Sequence, residues 1–191
     1  ASHLIDMSLA LGFQRIFLLS GHHEDELRSY LKKNYPNEKR IMPVYGGRAG
    51  KKWGVPWLLY SIKKELQQPF IYSDGNILYK SSILQKIKNI KTFKPALASI
   101  VLSSKDVAPT HSRVVLYKGK IQRVSTRIQS SNQSKDDRFA GKQYYSLGLM
   151  VFSKSIFSAI HHFNHKKDLD YVIRDIFKFK KNLVRTTIYK G

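Results

Sequence analysis

The 191-residue sequence contains no cysteine. That excludes structural disulfides, thiolate metal sites and a cysteine nucleophile. A disulfide-free α/β chain suits the cytoplasm. Acids are also scarce: 13 Asp+Glu stand against 34 Lys+Arg, a formal net charge of +21. Long apolar runs are missing, and none approaches the roughly 20 residues that span a bilayer. The N-terminal ASHLIDMSLALGF has neither the basic start nor the small-residue cleavage site of a secretory signal. It reads as an amphipathic helix already under way. There is no Ser-His-Asp order with a nucleophile elbow and no P-loop. Internal repeats and linkers are absent too, so residues 1–191 read as a single domain.

What is present is an ordinary globular composition, 42% hydrophobic and 25% charged, with an extraordinary charge balance. Such a surface favours any polyanion: nucleic acid, an anionic membrane or a phosphorylated substrate. The basic residues recur in pairs along the whole length (Lys32-Lys33, Lys51-Lys52, Lys63-Lys64, Lys166-Lys167, Lys180-Lys181) with no dense tract. No zinc finger, RNP-type aromatic motif or glycine-rich clamp accompanies them. Nucleic acid therefore remains a partner on charge alone.

Apolar periodicity sets the element order. His3 to Leu11 reads as a helix closed by Gly12. RIFLLS, Arg15 to Ser20, is continuous and apolar, as a strand buried on both faces is. A helix begins at Glu24 or Asp25, with acids first and lysines last, and ends at Pro36. RIMPVY is a second strand, placed at an edge or an end by Pro43. Next come a Gly- and Lys-rich loop, a helix over Trp57–Leu66, the strand PFIYS and a helix over Ser81–Ile90. ALASIVLSS is a fourth strand, and RVVLYKGKIQRVS a hairpin turning at Lys118-Gly119. The polar TRIQSSNQSKDDRFAGK reads as a mobile loop. Tyr144–Phe152 and Leu183–Tyr189 read as strands, with helices over Ser153–His162 and Asp168–Phe177 between them. Strands alternating with helices predict an α/β fold: a Rossmann-like, mostly parallel mixed sheet flanked by helices.

The stretch Gln67 to Ile87, QQPFIYSDGNILYKSSILQKI, carries the strongest chemical signal. Asp74, Gly75 and Asn76 end an apolar strand. A plain turn explains them, since all three suit turn dihedrals. So does a metal or nucleotide site at the carboxyl end of a parallel strand. His22 and His23 also follow a strand, but no third ligand stands at metal-site spacing.

In order, the segments resemble the sugar-phosphate nucleotidylyltransferases. LIDMSLALGFQRIFLLSGHHEDELRSYL is similar to the family's second βα unit. GVPWLLYSIKKELQQPFIYSDGNILY resembles its GTAGAL helix and the strand ending in a Gly-Asp metal motif. KGKIQRVS resembles the family's "gkI.rf.EKP" hairpin, and YYSLGLMVFSKSIFSAI its "NaGiYvFs..il..i" segment. The closing IYKG is similar to the strand leading into "W.DiGTP". No single motif is intact, and the order carries the resemblance. It implies transfer of a nucleoside monophosphate from a nucleoside triphosphate to a sugar 1-phosphate, with release of pyrophosphate.

The resemblance also implies site residues. Asp74 is the expected catalytic residue and Mg²⁺ ligand, aligned on the strand; aligned on the downstream helix, Asn76 takes the metal position. Asn offers an oxygen but no charge, so Asp74 is the better ligand and Asn76 the one that orients it or a bound water. Gly54, Val55, Asp74 and Gly75 are the expected nucleotide-binding residues. Ser146, where the family has Asn, Gly148 and Arg127 are the expected sugar-phosphate contacts. A loop glycine at 54, an inward strand residue at 146 and a solvated Arg127 are the structural alternatives. The family's G-x-G-T-R loop and its second metal Asp have no counterpart in the sequence, so the chain reads as an internal piece of a longer enzyme with weak turnover or none. A catalytically degenerate or regulatory domain of the same fold is the alternative.

Overall fold

The computed structural model describes residues 2–21, 23–46, 54–88, 96–104, 112–125, 141–162 and 169–189. Its helices are α1 (Ser2–Ala10), α2 (Glu24–Asn34), α3 (Val55–Ser61), α4 (Ser81–Lys88), α5 (Ile156–His162) and α6 (Leu169–Phe179). Its strands are β1 (Ile16–Ser20), β2 (Ile41–Tyr45), β3 (Phe70–Ser73), β4 (Ala98–Ser103), β5 (Arg113–Tyr117), β6 (Lys120–Ser125), β7 (Lys142–Phe152) and β8 (Val184–Tyr189). The expected α/β order is therefore present. Of the segment read as a mobile loop, residues 126–140, Arg127 among them, lie outside the described residues, as does His22, while its last residue, Lys142, opens β7.

β7 organises the sheet. Its first half pairs antiparallel with β5 (Arg113 opposite Tyr145) and its second half with β3 (Phe70 opposite Phe152). β4 runs antiparallel along the other edge and carries β8 in parallel beyond it. β5 continues into β6 through Lys118 and Gly119, both at positive φ (49° and 73°). Two consecutive positive φ values give the turn that matches hairpin twist. β1 and β2 form a separate parallel pair.

Period-two alternation sorts the apolar residues to two faces. Ala98, Ile100 and Leu102 of β4, with Met150 and Phe152 of β7, face a core closed by Ile156, Ile160, Val172 and Ile173 of α5 and α6. Val101, Leu149 and Val151 face the opposite way, against Met7 of α1 and Ile83, Leu84 and Ile87 of α4. The central strands are thus buried on both faces, which explains their nearly continuous apolar sequence.

Two helices are shorter than expected: α5 begins at Ile156, not Ser153, and α3 closes early. α3 ends at Ser61, not Leu66. Ser61 Oγ donates to the Leu58 carbonyl at 2.7 Å, competing with the helical ladder. The next amides tighten to three-residue bonds, Ile62 to Leu59 and Lys63 to Tyr60. Pro43 is exposed in β2, at the outer edge as its missing N–H requires.

Phe152 is fully buried, with the Phe70 ring 5.5 Å away. Phe152→Ala should lower stability by about 3–5 kcal/mol. Urea unfolding should show a lower midpoint with an unchanged slope.

Candidate functional site

Asp74 stands one residue past the end of β3, and its backbone N–H donates to the Gly148 carbonyl at 2.9 Å. That bond extends the β3–β7 ladder beyond Ser73 opposite Leu149. Residues 74 and 148 are distant in sequence and adjacent in space. Between Ile100 and Leu102 the β4–β7 register shifts: Ile100 faces Met150, but Leu102 faces Ser146. The extra β7 residues form a bulge, and Gly148 sits in it at φ 63°. A Cβ there would overlap Asp74 Oδ2 and lie 2.9 Å from both Asp74 Cγ and Ile77 Cδ1. Gly148 therefore does two things that only glycine does: it adopts the left-handed conformation and leaves room for the carboxylate.

Three hydroxyls surround this point. Tyr72 Oη donates to Asp74 Oδ1 at 2.6 Å. Residues two apart on a strand share a face, so β3 itself aims Tyr72 at Asp74. Ser73 Oγ donates to the Asp74 carbonyl at 3.1 Å. Tyr79, only 7% exposed, donates its hydroxyl to the Leu147 carbonyl at 2.7 Å. Burial pushes the Tyr79 phenol up to about 12; the Asp74 charge adds to the rise and a hydrogen bond with Ser73 opposes it.

The expected site residues divide into groups. Asp74, Ser146 and Gly148 come together. Ser146 is buried, and its Oγ accepts the Gly148 N–H at 3.3 Å, so it serves the bulge. Gly75 and Asn76 are exposed in the following turn. The hydroxyl that orients Asp74 belongs to Tyr72, while Asn76 sits outside that contact. Gly54 caps α3 at φ 107° and ψ 169°, and its carbonyl accepts the N–H groups of Trp57 and Leu58. Val55 opens the helix and lines a cavity of about 1440 Å³ together with Tyr72, Ser73 and Gly75. Of the expected nucleotide-side residues, Val55 and Gly75 border this space, and Asp74 lies in sequence between the lining residues Ser73 and Gly75. His23 hydrogen-bonds Glu26 at 3.0 Å in the first turn of α2, a local role.

Among the described residues, no group of three or more His, Asp or Glu side chains converges as a metal site. One carboxylate fits an ion that arrives with a nucleotide's phosphates and keeps its waters. It does not fit an ion held by the protein alone.

Solved structures with this architecture are numerous. The inositol-1-phosphate CTP transferase from T. maritima superposes with a TM-score of 0.70 at 14% identity, over 98% of this chain and 71% of that one. The fold is that of the nucleotide-diphospho-sugar transferases. A putative glucose-1-phosphate thymidylyltransferase from Bacillus anthracis has this fold too, with a TM-score of 0.67 at 13% identity over 100% of this chain and 74% of its own. So does HddC from Yersinia pseudotuberculosis, at 0.68 and 16% over 97% and 74%. No protein-family model and no curated protein matches the sequence. The fold is therefore shared at 13–16% sequence identity. Among the described residues no helix is long and apolar enough to cross a membrane.

Two outcomes follow for the site. Gly148→Ala should destabilise by at least about 1 kcal/mol, through a conformation alanine tolerates poorly and the overlap with Asp74. Adding Asp74→Ala should restore part of the loss, a coupling of about 0.5 kcal/mol or more in a double-mutant cycle. Tyr79 supplies a pH signature. Its folded-state pKa lies above the ordinary 10, so its stabilisation is complete below pH 10 and is lost as the pH rises towards 12. Tyr79→Phe should flatten that part of the stability–pH curve relative to the parent, read as denaturation midpoints across the interval.

Proposed function

We propose that these 191 residues carry the nucleotide-binding side of a sugar-1-phosphate nucleotidylyltransferase site. The observation that carries the reading is the Asp74 carboxylate. It is held at the carboxyl end of β3 by the Tyr72 hydroxyl and seated over Gly148, beside a cavity that Val55 and Gly75 line. In this reading Gly54 and Val55 border the base. Asp74 is the catalytic metal ligand, Gly75 lets the phosphates approach the backbone, and Asn76 orients a water. Ser146 and Gly148 border the sugar, with Arg127 against its phosphate.

A Mg²⁺ ion bound with the triphosphate supplies charge neutralisation at the α-phosphate. The chain's own residues supply position. Tyr72 fixes Asp74 Oδ1 and so limits the carboxylate's freedom before any ligand arrives. The β3–β7 ladder holds the backbone beneath it. In the complete reaction the sugar phosphate oxygen would attack the α-phosphorus in line and pyrophosphate would leave. Nucleotide binding is the property these residues are expected to show by themselves.

A second reading is a domain that keeps the fold without the chemistry. The Ser146 hydroxyl favours it, because it is buried and engaged by the bulge where a sugar contact is needed.

Titration calorimetry with CTP and dTTP, with and without Mg²⁺, separates these. Magnesium-dependent binding should fall at least tenfold in Asp74→Ala and change little in Asn76→Ala. Unchanged binding in Asp74→Ala would sink the catalytic reading. Binding indifferent to magnesium, shared by any polyanion and steeply lost with salt, would leave only the +21 charge.

A further inference from the structure

The end of the sheet away from Asp74 is basic and carries a bare aromatic ring. Phe70 of β3, Phe152 of β7, Ala98 of β4 and Val184 of β8 stand in register across that end. Two bonds continue the row just past the strands. The Leu97 N–H donates to the Leu183 carbonyl at 2.8 Å, and the Ser153 N–H donates to the Leu97 carbonyl at 3.0 Å. Ser153 and Leu183 therefore flank Leu97, about 10 Å apart, which is two strand spacings. Lys154 is the next residue on one side. On the other, α6 ends at Phe179 and a tight turn follows, closed by the Leu183 N–H on the Lys180 carbonyl at 3.1 Å.

Phe179 is 80% exposed, while Phe177 lies in the core. Lys181 stands over the Phe177 ring, 6.0 Å from its centre, and so covers the inner ring rather than the outer one. Lys154, Lys178, Lys180 and Lys181 are all exposed. Residues 149–162 and 176–189 contain no Asp or Glu. Asp175, one position before the second segment, is paired with Arg174 at 3.1 Å. The other large apolar side chains that stand exposed among the described residues, Leu78 and Tyr117, belong to the Asp74 turn and to the β5–β6 turn, towards the other end of the sheet. Lysines alone make a solvated face. Lysines gathered round an uncovered phenyl ring combine electrostatic attraction with apolar surface that has no cover.

We propose that this end of the molecule docks on an anionic phospholipid bilayer, with Phe179 inserted among the headgroups and Lys154, Lys178, Lys180 and Lys181 against their phosphates. The shape of the patch favours a bilayer over other polyanions. It is a helix end and a turn, and none of these residues lines the large cavity, so it offers a nucleic-acid strand no groove to follow. One ring is also too little for a protein interface, which takes about 800 Å² from each partner. An inserted apolar group and a basic cluster are the two signals that peripheral membrane binding combines. Docked in this way, the molecule turns Asp74 and Gly148 away from the lipid and leaves them open to solutes. The inference does not depend on the catalytic reading.

The test is co-sedimentation of the 191-residue chain with phosphatidylcholine vesicles, with and without about one-third phosphatidylglycerol, at about 0.15 M salt. Binding should require phosphatidylglycerol. Phe179→Ala should weaken it at least fivefold, and Phe179→Trp should restore it. The pair Lys178→Gln and Lys180→Gln should weaken it about 25-fold, at roughly fivefold for each lysine. The pair Lys118→Gln and Lys120→Gln removes the same charge at the far end of the sheet and should change it less than twofold. Urea midpoints within error of the parent check that each variant is folded. Absence of binding to the anionic vesicles overturns the proposal, as does equal weakening by the two lysine pairs, which would reduce the effect to the net charge. Full binding by Phe179→Ala overturns the insertion. Binding of single-stranded RNA that depends on the same residues, without vesicle binding, also overturns it by naming a nucleic acid as the partner. Vesicle binding without magnesium-dependent nucleotide binding would sink the catalytic reading and leave the membrane surface standing.

Discussion

β7 carries more of this structure than any other element. Its eleven residues form ladders with β3 and β5 on one edge and β4 on the other. Opposite β4, β7 advances four residues, Ser146 to Met150, where β4 advances two, Leu102 to Ile100, and an even excess keeps the alternation of faces. The bulge at Gly148 takes up that excess. Beyond it, Met150 and Phe152 point to the α5–α6 face, and Leu149 and Val151 to the α1–α4 face. The same bulge opens the space that Asp74 occupies. Sheet continuity and carboxylate placement therefore depend on one backbone irregularity.

The charge does little for that architecture. A net +21 destabilises a compact state through self-repulsion. Ion pairs such as Glu38–Arg40, in the turn before β2, and Arg174–Asp175, within α6, join near neighbours in sequence. A solvent-facing pair such as Glu38–Arg40 contributes about 0–1 kcal/mol. The favourable term is the two apolar layers, where fully burying a large side chain such as Phe152 or Ile156 gives about 1.5–3 kcal/mol each. Long basic side chains meanwhile lie over aromatic rings, as Lys63 does over Tyr60 at 4.1 Å and Arg28 over Tyr45 at 4.2 Å. These contacts cover apolar surface while the charge stays in water.

The candidate site was half legible in the sequence. Asp74 stood out because an acid, a glycine and an amide at the end of an apolar strand are chemically conspicuous. Gly148 matched a motif, but the reason for it was hidden: its partner is 74 positions away. Tyr72 and Tyr79 were missed. Tyr72 looks like one more core aromatic in FIYS, and only the two-residue strand period hints that it faces Asp74. Tyr79 gives no local signal, since its partner is the Leu147 carbonyl across the sheet.

The sequence by itself determined the elements and the class. Periodicity, turn residues and the order of strands and helices are local properties, and they specify α/β with a covered sheet. It also determined the charge layout of α2, the Lys118-Gly119 turn and the position of Pro43. Tertiary structure decided what depends on contacts between distant residues. It set the antiparallel course of β7, the bulge that admits Asp74 and the Tyr72 bond that fixes it. It also set the exposure of β1: RIFLLS reads as buried on both faces, but Ile16–Ser20 are half-exposed, because among the described residues β1 pairs with β2 alone and burial depends on neighbours that local sequence does not specify.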